Sequence, residues 1–291
     1  MRFETVTPSI WSLNLGICNC FLLRSTSGYV LVDTGLQKHG DKILEALKQA
    51  GIAASGVKYI LLTHAHKDHA GSAAQLKAVT GATVIAHALD AEIIQSGVHQ
   101  RPMTPAPGVL NLILFQLFVK DLLPVPPVRV DRCVEDGETL RELDGLRVIH
   151  TPGHSAGQIA FLWPQDGGLL FVGDAAANTL GLRLSISYED LQLGKRTLAK
   201  LAKLPFSKAC FGHGNTISSG ASVKFIRHWG VDEPLLMTGQ DERANGLGKV
   251  EYFEGLSADD FVDQTTQPSN GNWKKQRLES RRRYPEHEGR K

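Results

Sequence analysis

Residues 63–71 read Thr63-His64-Ala65-His66-Lys67-Asp68-His69-Ala70-Gly71. The string follows the apolar run Tyr59–Thr63 and precedes a helical pattern over Gly71–Val79, so it reads as a strand-to-helix turn. A strand sends alternate side chains to opposite faces and a helix staggers them, whereas a turn can bring them together. Three imidazoles and one carboxylate gathered in this way suit a borderline divalent cation such as Zn²⁺, Fe²⁺ or Mn²⁺. The whole chain has 11 histidines in 291 residues. Three of them beside an aspartate in one short turn are therefore a specific signal and not surface decoration.

The same placement recurs three times downstream. His154 stands in Thr151-Pro152-Gly153-His154-Ser155 after the strand-like run Arg147–Thr151. Asp174 ends Val172-Gly173-Asp174 after Leu169–Val172, and His213 lies in Phe211-Gly212-His213-Gly214 after Ala209–Phe211. Each sits beside a glycine, which permits a tight turn and close backbone approach. Further strand-like runs are Cys20–Arg24, Tyr29–Asp33, Thr83–Ala86 and Ile159–Trp163, bounded by Gly, Pro, Asp or Ser. Helical spacing predicts helices over His39–Ala50, Leu89–Ser96 and Tyr188–Leu204, the last carrying Leu191, Leu198, Leu201 and Ala202. Several strands are apolar throughout, as expected of sheets covered on both faces. The expectation is a layered α/β domain with sheets inside and helices outside.

The pattern His64-x-His66-x-Asp68-His69, followed by His154, Asp174 and His213, resembles the metallo-β-lactamase superfamily, and Val32-Asp33-Thr34-Gly35 matches that family's early strand-end motif. The resemblance spans roughly residues 1–230. It implies an αββα sandwich with a two-metal site at one edge of the sheets. It further implies that His64, His66 and His154 hold one ion, that Asp68, His69 and His213 hold the other, and that Asp174 bridges them. Asp33 would support the site from behind the ligands, as metal-bound histidines generally require. Zinc is the first expectation for both ions, with iron or manganese as alternatives. An aspartate in the fourth place and a histidine in the last are similar to the glyoxalase II-like and acyl-homoserine lactonase-like branch. True two-zinc β-lactamases usually offer a cysteine where this chain has Asp174, which disfavours penicillin hydrolysis.

The chemistry so implied is attack of a shared hydroxide on an ester, lactone or thioester carbonyl, with Asp68 as ligand and proton shuttle. The expected partner is a small acyl substrate, apolar if the stretch Val109–Val119 contacts it. A mononuclear-iron persulfide dioxygenase-like reading would use His64, His154 and Asp174. A nuclease or phosphodiesterase reading has less support, because no RNA-binding arm or further domain is visible. A tyrosine shortly after the bridging aspartate, common in lactonases, is replaced by Ala175-Ala176-Ala177-Asn178, and Tyr188 comes later. Arg183, Tyr188, Lys195 and Arg196 are the basic and aromatic residues that could meet glutathione, although solvated helix charge is their simpler reading. His87 reads as a structural histidine at a strand end.

The remaining composition sets bounds. Net charge is +2, hydrophobic residues are 42% and charged residues 21%, which describes a globular chain with no global reason for a nucleic-acid or membrane partner. The near-neutral sum hides a contrast, because residues 231–272 carry 2 basic and 9 acidic groups and residues 273–291 carry 8 basic and 3 acidic. Residues 231–291 are expected to be a largely disordered polar tail. Its basic stretch from Lys274 to Arg283 is a weak candidate for nucleic acid. Residues 97–127, rich in proline around Val109–Val119, read as a cap or lid insertion or else an ordinary core helix. No apolar leader follows the N-terminal charge, no run is long enough to span a membrane, and Cys18, Cys20, Cys133 and Cys210 form no CxxC pair. Free thiols in a reducing cytoplasm are expected.

Overall fold

The structure, a computed structural model, describes residues 1–98, 100–119 and 124–230. The expected tail and its basic stretch, part of the proline-rich segment, and His99 and His287 lie outside the described residues.

Seven strands form the first sheet: β1 (Glu4–Thr7), β2 (Ile10–Asn14), β3 (Asn19–Ser25), β4 (Gly28–Val32), β5 (Val57–Leu61), β6 (Thr83–His87) and, skipping the short β7 (Thr104–Pro105), β8 (Arg132–Val134). The first four pair antiparallel and the rest parallel. The second sheet holds β9 (Thr139–Leu140), β10 (Leu146–His150), β11 (Ile159–Trp163), β12 (Leu169–Phe171) and β14 (Lys208–Cys210). Between the last two in sequence, β13 (Ser187–Tyr188) pairs with β7 as a small ribbon.

Helices α1 (His39–Gln49), α2 (Lys67–Ala70), α3 (Ala73–Thr80), α4 (Ala88–Ser96) and α5 (Val109–Phe118) lie in the first half, and α6 (Leu191–Ala202) and α7 (Ala221–Trp229) in the second. Side-chain alternation builds the layers. In β3, Cys20 and Leu22 pack with Ile43, Leu47 and Leu76 of α1 and α3, while Phe21 and Leu23 face the other way, among Phe161, Trp163 and Phe171 of the second sheet. In β10, Val148 joins the layer between the sheets and Ile149 joins Leu198, Leu201 and Phe225 beneath α6 and α7. Both faces of both sheets are therefore covered, and the strands read as continuous apolar runs. This is the αββα sandwich.

Local boundaries shift for physical reasons. The strand expected over Tyr59–Thr63 ends at Leu61, leaving Thr63 and His64 in the turn. The helix expected over Gly71–Val79 is α3, Ala73–Thr80, and a separate short helix, α2, precedes it within the histidine-rich turn. The helix expected from Tyr188 starts at Leu191, because Asp190 caps it by accepting the Leu193 N–H at 2.9 Å and Tyr188 is drawn into β13. The core-helix alternative for Val109–Val119 does not hold. Only Asn111 of α5 is buried, while Val109 is 76% and Leu117 65% exposed. Among the described residues no helix is long and apolar enough to cross a membrane. Cys18, Cys20 and Cys210 are buried and Cys133 is exposed, all as free thiols.

Candidate metal centre

The residues predicted from the sequence meet at one edge of the sandwich, at the ends of β5, β10, β12 and β14. His64 and His66 occupy the β5–α2 turn, Asp68 and His69 lie in α2, His154 lies between β10 and β11, Asp174 follows β12 and His213 follows β14. Three groups of possible ligand atoms result: His64 with His66 and His154, Asp68 with His69 and His213, and Asp174 with His64 and His69.

In the first group, His64 Nε2 lies 3.0 Å from His66 Nδ1, and His154 Nε2 lies 2.9 Å from the same atom. In the second, His213 Nε2 is 3.2 Å from Asp68 Oδ2 and His69 Nε2 is 3.9 Å from it. Asp174 reaches both, with Oδ1 3.4 Å from His69 Nε2 and Oδ2 3.0 Å from His213 Nε2 and 3.5 Å from His154 Nε2.

The far side of each ring explains why these nitrogens point inward. His69 Nδ1–H donates to Asp33 Oδ2 at 2.9 Å, His154 Nδ1–H to the Ser187 carbonyl at 2.7 Å and His213 Nδ1–H to the Ile17 carbonyl at 2.6 Å. The Thr63 hydroxyl donates to Asp33 Oδ2 at 2.8 Å, so at 3.0 Å it accepts from His64 Nδ1–H. These bonds turn the Nδ1 edge of all four rings outward and leave Nε2 facing the centre. Asp33 achieves this from a left-handed backbone, φ 61°, which an aspartate tolerates better than most residues.

The donor set fits a metal. Lone pairs of His64 and His154 converge on His66 Nδ1. A single His66 proton would serve the two poorly, whereas a divalent cation accepts all three nitrogen pairs. His69 Nε2 and Asp174 Oδ1 are buried with no hydrogen-bond partner, the condition of ligand atoms without their ion. Gly212 keeps the space open, since a Cβ there would sit 2.2 Å from Asp174 Oδ1 and 2.5 Å from His69 Cε1.

The two halves differ electrostatically. Burial, reinforced by the neighbouring imidazoles, holds His64 and His66 well below the ordinary range, and burial lowers His154 too. Burial acts the same way on His69, but Asp174, Asp33 and Asp68 outweigh it and bring it up to about 10; Asp174 and Asp68 likewise outweigh burial at His213 and hold it well above its usual value. The reverse balance keeps Asp68 and Asp174 ionised, because nearby His69 and His213 overcome the cost of burial.

Other residues singled out by sequence pattern fall outside this cluster. Tyr188 is fully buried, its hydroxyl donating to the Ala175 carbonyl at 3.0 Å and accepting from Ser185 N–H at 3.0 Å, so it offers no free hydroxyl. Arg183 donates to Asn111 of α5, and Lys195 and Arg196 are exposed on α6. His87 stacks on His150 at 4.2 Å and caps α4 by accepting the Leu89 N–H at 3.2 Å, a structural role. Residue pattern did not reveal Thr63, Ser155, the carbonyls of Ile17 and Ser187, or the buried group Asp90, Arg101 and Glu189. Asp90 had a legible signal. It lies one helical turn before Ile94, on the buried side of α4, where an acid requires a partner. The carbonyls had none, because backbone atoms leave no trace in residue type.

The profile of the metallo-β-lactamase superfamily matches residues 13–213, and the chain belongs to that superfamily. It is similar to a hydroxyacylglutathione hydrolase of Cereibacter sphaeroides, 30% identical over 67% of this chain and 61% of that one. It is also similar to thioesterase pkgB of Emericella nidulans, 29% identical over 75% of this chain and 51% of the relative. This chain thus spans about half to three fifths of the length of these two relatives. Among solved structures, a motif variant of a Cronobacter sakazakii metallo-β-lactamase superposes with a TM-score of 0.59 at 25% identity, over 73% of this chain and 80% of the other.

Proposed function

We propose that the protein is a metal-dependent hydrolase of acyl compounds, cleaving an ester, lactone or thioester, with thioesters the first class to test. The observation that carries this reading is the convergence of seven ligand-type side chains into two adjoining sets that share Asp174. The names borne by two relatives, a thioesterase and a hydroxyacylglutathione hydrolase, support the substrate class.

In this reading His64, His66 and His154 would hold one ion and Asp68, His69 and His213 a second, with Asp174 a ligand available to either. Two such ions, zinc first and iron or manganese next, supply a water acidified to a pKa of about 7 and polarisation of the carbonyl. The chain's own residues do the rest. Asp33, Ser187 and Ile17 orient the rings, so little reorganisation accompanies the reaction. Substrate enters beside Asp68 and His213, whose side chains are 20% and 23% exposed while the imidazole trio is shielded. Asp68, ionised at that mouth, takes up a proton from the attacking group and returns it to the departing oxygen or sulfur. The apolar surface of α5, tied through Asn111 to Arg183 in the segment after Asp174, suits an acyl chain.

The experiment is metal analysis of the purified protein with a panel of acyl thioesters, aryl esters and lactones. Hydrolysis should vanish on chelation, return with metal, and fall steeply in His66→Ala, Asp68→Ala and Asp174→Ala. Turnover that survives chelation and all three substitutions rejects the reading.

A further inference from the structure

Asp90, in the first turn of α4, is 0% exposed. A buried carboxylate is tolerated only when its oxygens are paired, and the partners here come from three separate stretches of chain. Oδ2 accepts the Ala65 N–H at 3.0 Å. The Ser155 hydroxyl lies 2.8 Å from Oδ1 and 2.6 Å from Oδ2. Oδ1 also accepts the Gly157 N–H at 3.0 Å and an Arg101 Nη1–H at 2.8 Å. Ala65 sits between His64 and His66, and Ser155 directly follows His154. One carboxylate thus bonds to both segments that carry the imidazole trio.

Arg101 and Glu189 complete the arrangement. Arg101 Nη1 also lies 3.4 Å from Glu189 Oε1, and its other nitrogen donates to the Leu89 carbonyl. Glu189 Oε2 accepts the Ala156 N–H at 2.9 Å, so the backbone after His154 is gripped by two acids joined through one guanidinium. Gly157 is required by the close approach, because a Cβ there would lie 2.5 Å from Asp90 Oδ1. None of the hydrogen bonds that orient His69 and His213 involves this group; those go to Asp33 and Ile17.

We propose that Asp90, clamped by Arg101, is a positioning residue that sets the spacing of His64 and His66 against His154, and so tunes the imidazole trio selectively. The inference rests on the metal-binding reading above. Buried ion pairs are poor sources of stability, since apolar replacements of the same volume often serve as well or better. They do specify geometry, and metal coordination tolerates errors of only about 0.2 Å in ligand distance.

The test is titration of cobalt(II) into the metal-stripped full chain, followed by visible absorption and chelator competition. In Asp90→Asn the amide sets a donor against the Ala65 N–H. One cobalt equivalent should weaken by about 10–100-fold with a changed spectrum, and the other should keep its affinity. Ser155→Ala, which removes one donor without a new clash, should weaken the same equivalent by a smaller factor, and it decides the matter if Asp90→Asn does not fold. Equal loss at both equivalents marks a general loosening of the fold and overturns the proposal, as does unchanged binding in both variants. Absence of tight cobalt binding in the unaltered chain overturns the metal reading and this inference together.

Discussion

The two halves of the candidate centre solve different problems. His64, His66 and His154 form a shielded set of rings whose proton affinity burial lowers, with neighbouring imidazoles adding to it at His64 and His66. Asp68, His69 and His213 mix a carboxylate with two rings whose proton affinity is raised by acids, and two of the three are open to solvent. Their supports differ as well. The first set alone is gripped from behind by Asp90 and its partners, the Ile17 carbonyl serves the second alone, and Asp33 holds His69 directly and His64 through Thr63. The contrast separates a fixed, dry anchor from a wetter face where proton exchange and substrate entry are physically possible.

The largest effect should come from removing what the halves share. Asp174→Ala deprives both sets of a carboxylate, and acyl hydrolysis should fall by at least about 10³-fold, measured as kcat/KM on the best substrate of the panel. Asp33→Asn should come next. Asp33 holds His69 directly and His64 through Thr63, so affinity should drop about 10–100-fold at both equivalents in a chelator competition. Loss confined to one equivalent would mean that Thr63 does not transmit the orientation of His64.

A smaller effect is expected in acid, on the shielded side. Burial and the neighbouring His150 push His87 down to about 4. The unfolded chain therefore binds the extra proton first, and stability is lost as pH falls from about 6.5 towards 4, by about 3 kcal/mol. Protonation also ends the cap that His87 Nδ1 provides to the Leu89 N–H. His87→Asn keeps an acceptor without titrating, and its urea midpoint should fall less between pH 7 and pH 4 than that of the parent. The mildest change concerns the open side. Leu112→Ser with Ile113→Ser on α5 should raise KM roughly 2–10-fold for long acyl chains and leave short ones unaffected. A uniform change across chain lengths would separate α5 from the substrate.

The ligand positions were legible because each repeats one local pattern, an apolar strand, a small residue and a donor, and because histidine is scarce enough for clustering to be informative. The layered fold was legible from strands apolar on both sides, such as Ile159–Trp163, all of whose residues are buried. The edge strand Glu4–Thr7 and its neighbour Ile10–Asn14 were not: both are half exposed and carry mixed residues, so local pattern alone did not separate them from loop. Short β8 and β9 escaped for the same reason, and α7 was not read although α4, of the same nine-residue length, was. The exposure of α5 also ran against its composition, since an apolar run reads as core unless tertiary packing leaves it uncovered.

Residue type and local spacing were thus enough to say which residues could act and in what order they occur along the chain, because both encode donor chemistry. Only folding in three dimensions settles which nitrogen of each ring faces the centre, through carbonyls and carboxylates tens to hundreds of positions away, such as Ile17 for His213. The same holds for Asp90, which bridges two histidine-bearing segments. Hydrogen bonds between distant segments depend on where the chain returns in space, and no local pattern records that.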